Sequence, residues 1–304
     1  MRPDDLIKRR ILLFGANGML GRRTAARFLA NDRVETLGAG IEEEPATEGL
    51  EYIRADVADR ASVKRTVYDF SPHAIVNCAA FTAVDRCETE REAAWKANVK
   101  GVEYLAEAAR VIDARVVHVS TDYVFDGRRG YYVETDKPNP ISYYGRTKLA
   151  SENALRVSGA EHVVLRTNVL YGPAGGTSFD FVQWVVESVR AGKPIRIVTD
   201  QINNPTYADD LAEAIARCAN NRARGVYHIG GREFLSRYDF TMRIADFFDL
   251  DKSLITPITT EELTLPARRP LKSGLVTLKA ETELGYRASG VEETFRLMKR
   301  ALDL

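Results

Sequence analysis

One stretch constrains this chain more than any other. A short apolar run at 11–14 (ILLF) is followed at once by Gly15-Ala16-Asn17-Gly18-Met19-Leu20-Gly21, which opens a segment of helical period. Glycines in a strand–turn–helix junction let the turn tighten, let backbone approach a pyrophosphate, and aim helix N-terminal N–H groups at the anion. The pattern predicts a phosphate-bearing dinucleotide held by Gly15, Asn17, Gly18, Met19, Leu20 and Gly21.

The rest of the first half alternates short β-branched runs with longer helical patterns, the signature of βα units around a parallel sheet. Strands are expected at 11–14, 34–37, 52–54, 74–77, 116–119 and 163–166, and helices beginning near Gly18, Ala61, Glu88 and Tyr143. The connection 127–142 holds Pro138 and Pro140 and should not be helical. Beyond Arg166 come a loop YGPAGGTS, a helix over 179–190, a strand IRIV, the polar segment TDQINNPT, a helix DLAEAIARCA and a strand VYHI. The fold class is therefore α/β: a Rossmann doubly wound parallel sheet with a smaller C-terminal lobe. Residues 1–166 with 207–229 form the NAD(P)-binding domain, and 167–206 with 230–304 the substrate-binding lobe.

Charge excludes some functions. Lys+Arg and Asp+Glu number 43 each, so the basic footprint of a nucleic-acid or anionic-membrane binder is missing. Apolar residues at 45% suffice for a sizeable core, and no apolar run approaches the ~20 residues of a membrane span. Cys78, Cys87 and Cys218 form no CxxC pair, and the N-terminus lacks a signal-peptide core, so a cytoplasmic protein is expected.

Tyr144 and Lys148 stand four residues apart, on one helix face, where an ammonium can lower a phenol's pKa toward working pH and also hold a nicotinamide ribose. Ser120 and Thr121 follow the apolar run VVHV, at the strand end where an open parallel sheet meets its ligand. A hydroxyl there donates to a carbonyl oxygen as charge develops, or simply caps the strand. Asn98 precedes that strand and reads either as a cofactor-site residue or as a buried amide satisfied by backbone. At the end of the second strand, Leu37-Gly38-Ala39-Gly40 lacks the acid that NAD enzymes place there for the ribose. This favours NADPH, with Arg22 or Arg23 near its 2′-phosphate. Glu42, Glu43 and Glu44 lie near enough to leave NADH as the alternative.

The GxxGxxG spacing is similar to that of short-chain dehydrogenases. The runs IVNCAAFTAVDRCE, VVHVSTDYVFDG, YYGRTKLASE, RTNVLYG, DQINNPT and RRPLKSGL resemble those of dTDP-4-dehydrorhamnose reductases, over nearly the whole chain. The resemblance implies reduction of the C4 ketone of a nucleotide-linked 6-deoxy-4-ketohexose, with Thr121, Tyr144 and Lys148 catalytic. It implies cofactor contacts from Gly18 to Leu20 and from Asp56, Val57, Ala79, Ala80, Phe81 and Thr82, substrate contact from Asp122, and a possible homodimer. Three positions depart from the family pattern: Val169 replaces a tryptophan of the sugar site, Asn203 a glycine, and Gly38 the strand-end acid. A nucleotide-sugar dehydratase is disfavoured because Tyr123 stands where that family carries glutamate. A non-catalytic NADP-binding subunit resembling the methionine adenosyltransferase β-subunit stays open, as does a reductase or epimerase for another nucleotide sugar.

Other residues read more plainly. His73, His118, His162 and His228 share no ligand spacing and are expected to be structural, with no metal site. Trp95 and Trp184 lie in helical patterns among apolar neighbours and are expected in the core. Arg269 is a candidate for bidentate contact with a nucleotide diphosphate.

Overall fold

The computed structural model describes residues 8–173 and 180–302. The strands of the first part are β1 (Arg9–Phe14), β2 (Val34–Gly40), β3 (Glu51–Arg54), β4 (Ala74–Asn77), β5 (Arg115–Thr121) and β6 (His162–Thr167). Its helices are α1 (Met19–Leu29), α2 (Arg60–Phe70), α3 (Arg86–Thr89), α4 (Arg91–Trp95), α5 (Gly101–Val111) and α6 (Tyr143–Ser158). The second part contributes β7 (Leu170–Tyr171), α7 (Phe181–Arg190), β8 (Ile195–Val198), β9 (Ile202–Asn203), β10 (Thr206–Tyr207), α8 (Ala208–Asn220) and β11 (Gly225–Ile229). It ends with β12 (Leu235–Ser236), α9 (Arg237–Phe247), β13 (Ile255–Ile258), α10 (Leu278–Leu284) and α11 (Val291–Leu302).

Among the described residues one seven-stranded sheet runs in the order β11-β6-β5-β4-β1-β2-β3, with every pairing parallel. Its central strands are apolar on both faces, as a sheet covered by helices requires. Ile11 and Leu13 pack toward α1 and α8, while Leu12 and Phe14 pack toward α2, α5 and α6. The order reverses between β1 and β4, which opens a crevice at the carboxyl ends of the strands. The chain leaves this sheet after β6 and returns to it in β11, beside β6. A separate core gathers Val185 and Val189 of α7, Ile195 and Ile197 of β8, Phe240 and Ile244 of α9, and Phe295 and Met298 of α11.

Two local departures from expectation have physical causes. β2 extends to Gly40 because Gly38 and Gly40 pair with Tyr52 and Arg54 of β3, so tertiary pairing overrides weak strand propensity. The helix expected near Glu88 is broken into α3, α4, a π turn at Lys96–Lys100, and α5. The loop YGPAGGTS, like the start of the helix expected at residue 179, lies largely outside the described residues. No helix among the described residues is long and apolar enough to cross a membrane.

Candidate active site

The glycine loop has the form a dinucleotide requires. Gly15 has φ +76°, and a Cβ on it would stand 2.6 Å from the Ala79 nitrogen, so loop and β4 end touch backbone to backbone. α1 begins at an N-cap, Gly18, with no side-chain cap and no acid in its first turn, leaving its N–H groups for an anion. Gly15, Gly18, Met19, Leu20 and Gly21 line one side of a cleft of about 340 Å³; Cys78, Ala80 and Thr82 line another, with Thr121, Tyr144 and Lys148 at its far end. A dinucleotide fits these residues.

Not every expected contact faces that cleft. Asn17 turns outward: its Nδ2 donates to the Glu44 carbonyl (2.9 Å) and the Glu42 carboxylate (3.3 Å), and its Oδ1 accepts from the Ala46 nitrogen. Asp56 accepts from the Ala58 nitrogen at the carboxyl end of β3, and Val57 is buried against Gly101. Ala79 and Phe81 line the cleft with neither side chain. Arg23 is not available for a phosphate, since Nε and Nη2 donate to Asp209 at 2.5 and 2.8 Å. At Gly38, where the strand-end acid is missing, a Cβ would meet the tip of the Leu50 side chain at 2.6 Å. The place of that acid is approached from the loop instead. The Glu42 carboxylate lies beside Asn17 and the Tyr52 hydroxyl, close over Gly40.

α6 carries the reactive pair. Ser142 caps it by accepting from the Gly145 nitrogen, and Glu88 accepts from the Tyr143 nitrogen at 2.7 Å. Gly145 lets the helix touch the 3₁₀ turn Asp122–Val124, for a Cβ there would stand 2.2 Å from the Tyr123 carbonyl. Tyr144 and Thr121, at the end of β5, thereby line the same cleft. Its phenol is pushed well above the ordinary value, first by burial and then by the charge of Asp122, while the Thr121 contact pulls the other way. This differs from the lowering expected from Lys148. The Lys148 ammonium donates to the Val119 carbonyl at 2.7 Å, and burial holds its pKa down to about 8. The phenol is thus fully protonated at neutral pH, the form that donates a proton in a reduction.

Beneath this pair lies a satisfied polar layer. Asn77 accepts from the Ala79 nitrogen through Oδ1 and so turns Nδ2 to His118 Nδ1 (3.2 Å). The proton of His118 is then on Nε2, which faces the Ser151 hydroxyl at 3.0 Å, and Ser151 donates to the Lys148 carbonyl. Burial and the Lys148 charge keep His118 neutral. Asn98, brought inward by the π turn, accepts from the Phe81 nitrogen and donates to the Phe81 carbonyl and to Thr147 of α6. It is buried behind the cleft rather than facing it, so it positions Phe81 and α6 and is corrected as a direct cofactor contact. His73, His162 and His228 likewise bond to backbone, of Arg10, Ala160 and Tyr132 respectively. No group of three metal-ligating side chains occurs among the described residues.

A second cavity, about 670 Å³, meets the first. The two share Thr82, Thr121, Tyr144, Asn168 and Leu170 as walls. Asp122 lines the second; it accepts from Ser273 Oγ and from Thr121 Oγ1 (3.1 Å), and burial raises its carboxyl to about 6. Val169 also lines it. Asn203 does not: it pairs with Leu235 between β9 and β12. Arg269 is likewise drawn away, its Nη2 donating to Asp85 at 2.6 Å and Nη1 to the Ala267 carbonyl. Trp95 is 39% exposed rather than in the core; Trp184 packs against the second core, as expected, and also lines the second cavity. Sequence reasoning missed Trp184, Phe181, Arg196 and Arg237, because these residues converge only through the packing of α7, β8 and α9.

Sheet order, glycine turn and the tyrosine–lysine pair define a Rossmann fold of the extended short-chain dehydrogenase/reductase class. The family model described as RmlD substrate binding domain matches residues 9–302, and the chain belongs to the dTDP-4-dehydrorhamnose reductase family. It is 34% identical to the dTDP-4-dehydrorhamnose reductase of Aggregatibacter actinomycetemcomitans, over 92% of this chain and 95% of that protein. It is 36% identical to methionine adenosyltransferase 2 subunit beta of Xenopus tropicalis, over 83% of this chain and 76% of that one. Among solved structures it is similar to a dTDP-4-dehydrorhamnose reductase from Clostridium acetobutylicum (TM-score 0.86, 32% identity, 97% and 100% of the two chains covered). It is also similar to that of Bacillus anthracis, in complex with NADP (TM-score 0.80, 29% identity, 96% and 99% covered).

Proposed function

We propose that this protein reduces the C4 ketone of a nucleotide-activated 6-deoxy-4-ketohexose, dTDP-4-dehydrorhamnose first among them, using NADPH and, less readily, NADH. The observation that carries this reading is the shared wall: Thr121 and Tyr144 face both the glycine-loop cleft and the second cavity. A carbonyl in the second cavity beside that wall lies within reach of the cleft, and the relatives named as reductases support the same reaction. The dinucleotide, when bound, supplies the hydride. Tyr144 gives its proton to the carbonyl oxygen, Thr121 steadies that oxygen by turning its hydroxyl proton from Asp122 to the substrate, and Lys148 holds the ribose side of the cleft. Residues 1–166 with 207–229 serve the dinucleotide, and 167–206 with 230–304 serve the sugar nucleotide. A homodimer working in the cytoplasm completes the proposal.

The second reading, a non-catalytic dinucleotide-binding subunit, draws on the 36% identity to methionine adenosyltransferase 2 subunit beta. Turnover separates the two. With enzymatically generated dTDP-4-keto-6-deoxy-L-mannose, oxidation of NADPH is expected, falling at least ~100-fold in Tyr144→Phe while NADPH binding is unchanged. Binding of the dinucleotide with no oxidation in the wild type would favour the regulatory reading.

A further inference from the structure

Helix α7 presents two faces. Val182, Val185, Val186 and Val189 are buried in the second core, and Phe181 and Trp184 pack partly buried against its edge. Phe181 and Trp184, one turn apart on the neighbouring face, both line the second cavity. Their ring centroids are 5.7 Å apart, and Phe181 stacks on the fully buried Phe240 (6.1 Å, 16° between planes), which fixes the aromatic wall from behind. Two cations stand on the same cavity. The Arg237 guanidinium lies 4.8 Å over the Phe181 ring, and Arg196 reaches Glu262 only at 3.9 Å. None of these four residues lines the glycine-loop cleft. They belong to the second cavity alone, where Arg237 also faces the charge of Asp122. Across it, Val169 leaves space where the resembling family carries a tryptophan.

We propose that Trp184 is the residue on which the nucleobase of a nucleoside-diphosphate substrate stacks, with Arg196 and Arg237 flanking the diphosphate, so that nucleotide recognition is carried by α7, β8 and the start of α9. This rests on the nucleotide-sugar reading above. A planar base needs a flat, anchored π surface, and a diphosphate needs cations not bound tightly to carboxylates; this wall offers both.

The test uses the full-length protein saturated with NADPH and titrated calorimetrically with dTDP, UDP or inorganic pyrophosphate. Trp184→Ala is expected to weaken both nucleotides by about 10- to 100-fold, and Trp184→Phe by only a few fold. Pyrophosphate and NADPH affinities are expected to stay at wild-type values in both variants. The chain has two tryptophans, so in a Trp95→Phe protein saturating dTDP must change the emission of Trp184, a readout that needs no truncation of the wall. Nucleotide affinity unchanged in Trp184→Ala, or emission unchanged by bound dTDP, overturns the stacking while leaving the reductase reading intact. A wild-type protein that binds neither nucleotide overturns both.

Discussion

Lys148 shows how much of a residue's chemistry is set by what buries it. Its ammonium is held by one backbone carbonyl in a closed site, with a pKa near 8 instead of the ~10.4 of a free lysine. The cation is present below about 8 and is lost above it, so kcat/KM is expected to fall on the alkaline side with a midpoint near 8. In Lys148→Arg, whose charge persists to higher pH, that limb should vanish from whatever activity remains; a limb still at 8 would assign the titration to another group. Stability runs the other way. Because the folded pKa lies below the unfolded one, the folded protein releases this proton first and gains stability as pH rises from about 8 toward ~10.4. At this scale the sequence was informative about identity and poor about contacts. Tyr144, Lys148 and Thr121 were legible from spacing and strand position, whereas the Val119 carbonyl that claims Lys148 and the Asp122 charge that raises Tyr144 belong to residues brought together by folding.

Among the elements, the glycine turn and the strands of the main sheet were readable because each has its own local signal: φ-permissive residues in one, β-branched runs in the other. The π turn at Lys96–Lys100 has no such signal, so the sequence left Asn98 open between cofactor contact and buried amide, and the fold makes it the amide that ties Phe81 to α6. Trp184 packs against the second core as its periodicity suggests, but periodicity does not report that the same side chain also lines a cavity. The loop after β2 is a further case. Gly38 suggested that no acid attends the ribose, yet the fold brings Glu42 beside Asn17 and over Gly40. A carboxylate there repels a 2′-phosphate, so Glu42→Ser is expected to raise the ratio of kcat/KM for NADPH over NADH roughly fivefold or more, and less at high salt. An unchanged ratio would remove Glu42 from cofactor choice.

Across the whole molecule, distant stretches are joined by Asn204, adjacent to the Asn203 that stands where the resembling family carries a glycine. Its Nδ2 donates to the carbonyls of Gly231 (2.9 Å) and Leu275 (3.0 Å), and its Oδ1 accepts from the Leu275 nitrogen (2.9 Å), all in a buried setting. Asn204→Ala strands these backbone groups and is expected to cost about 2–3 kcal/mol in urea unfolding; a cost below ~0.5 kcal/mol would mean that water replaces the amide. Ser273, two residues from Leu275, donates to Asp122, so the clamp also reaches the site.

The two cavities share five wall residues, and only there do they meet. Below that seam the walls come from loops at the carboxyl ends of the main-sheet strands and from α6; beyond it, largely from α7, β8 and the start of α9. Appetite for one acceptor or another can therefore drift, or be re-engineered, through Phe181, Trp184, Arg196 and Leu263 alone, with the acid and the coenzyme cradle inherited unchanged. A library confined to those four positions would explore new nucleotide carriers on an intact hydride-transfer engine.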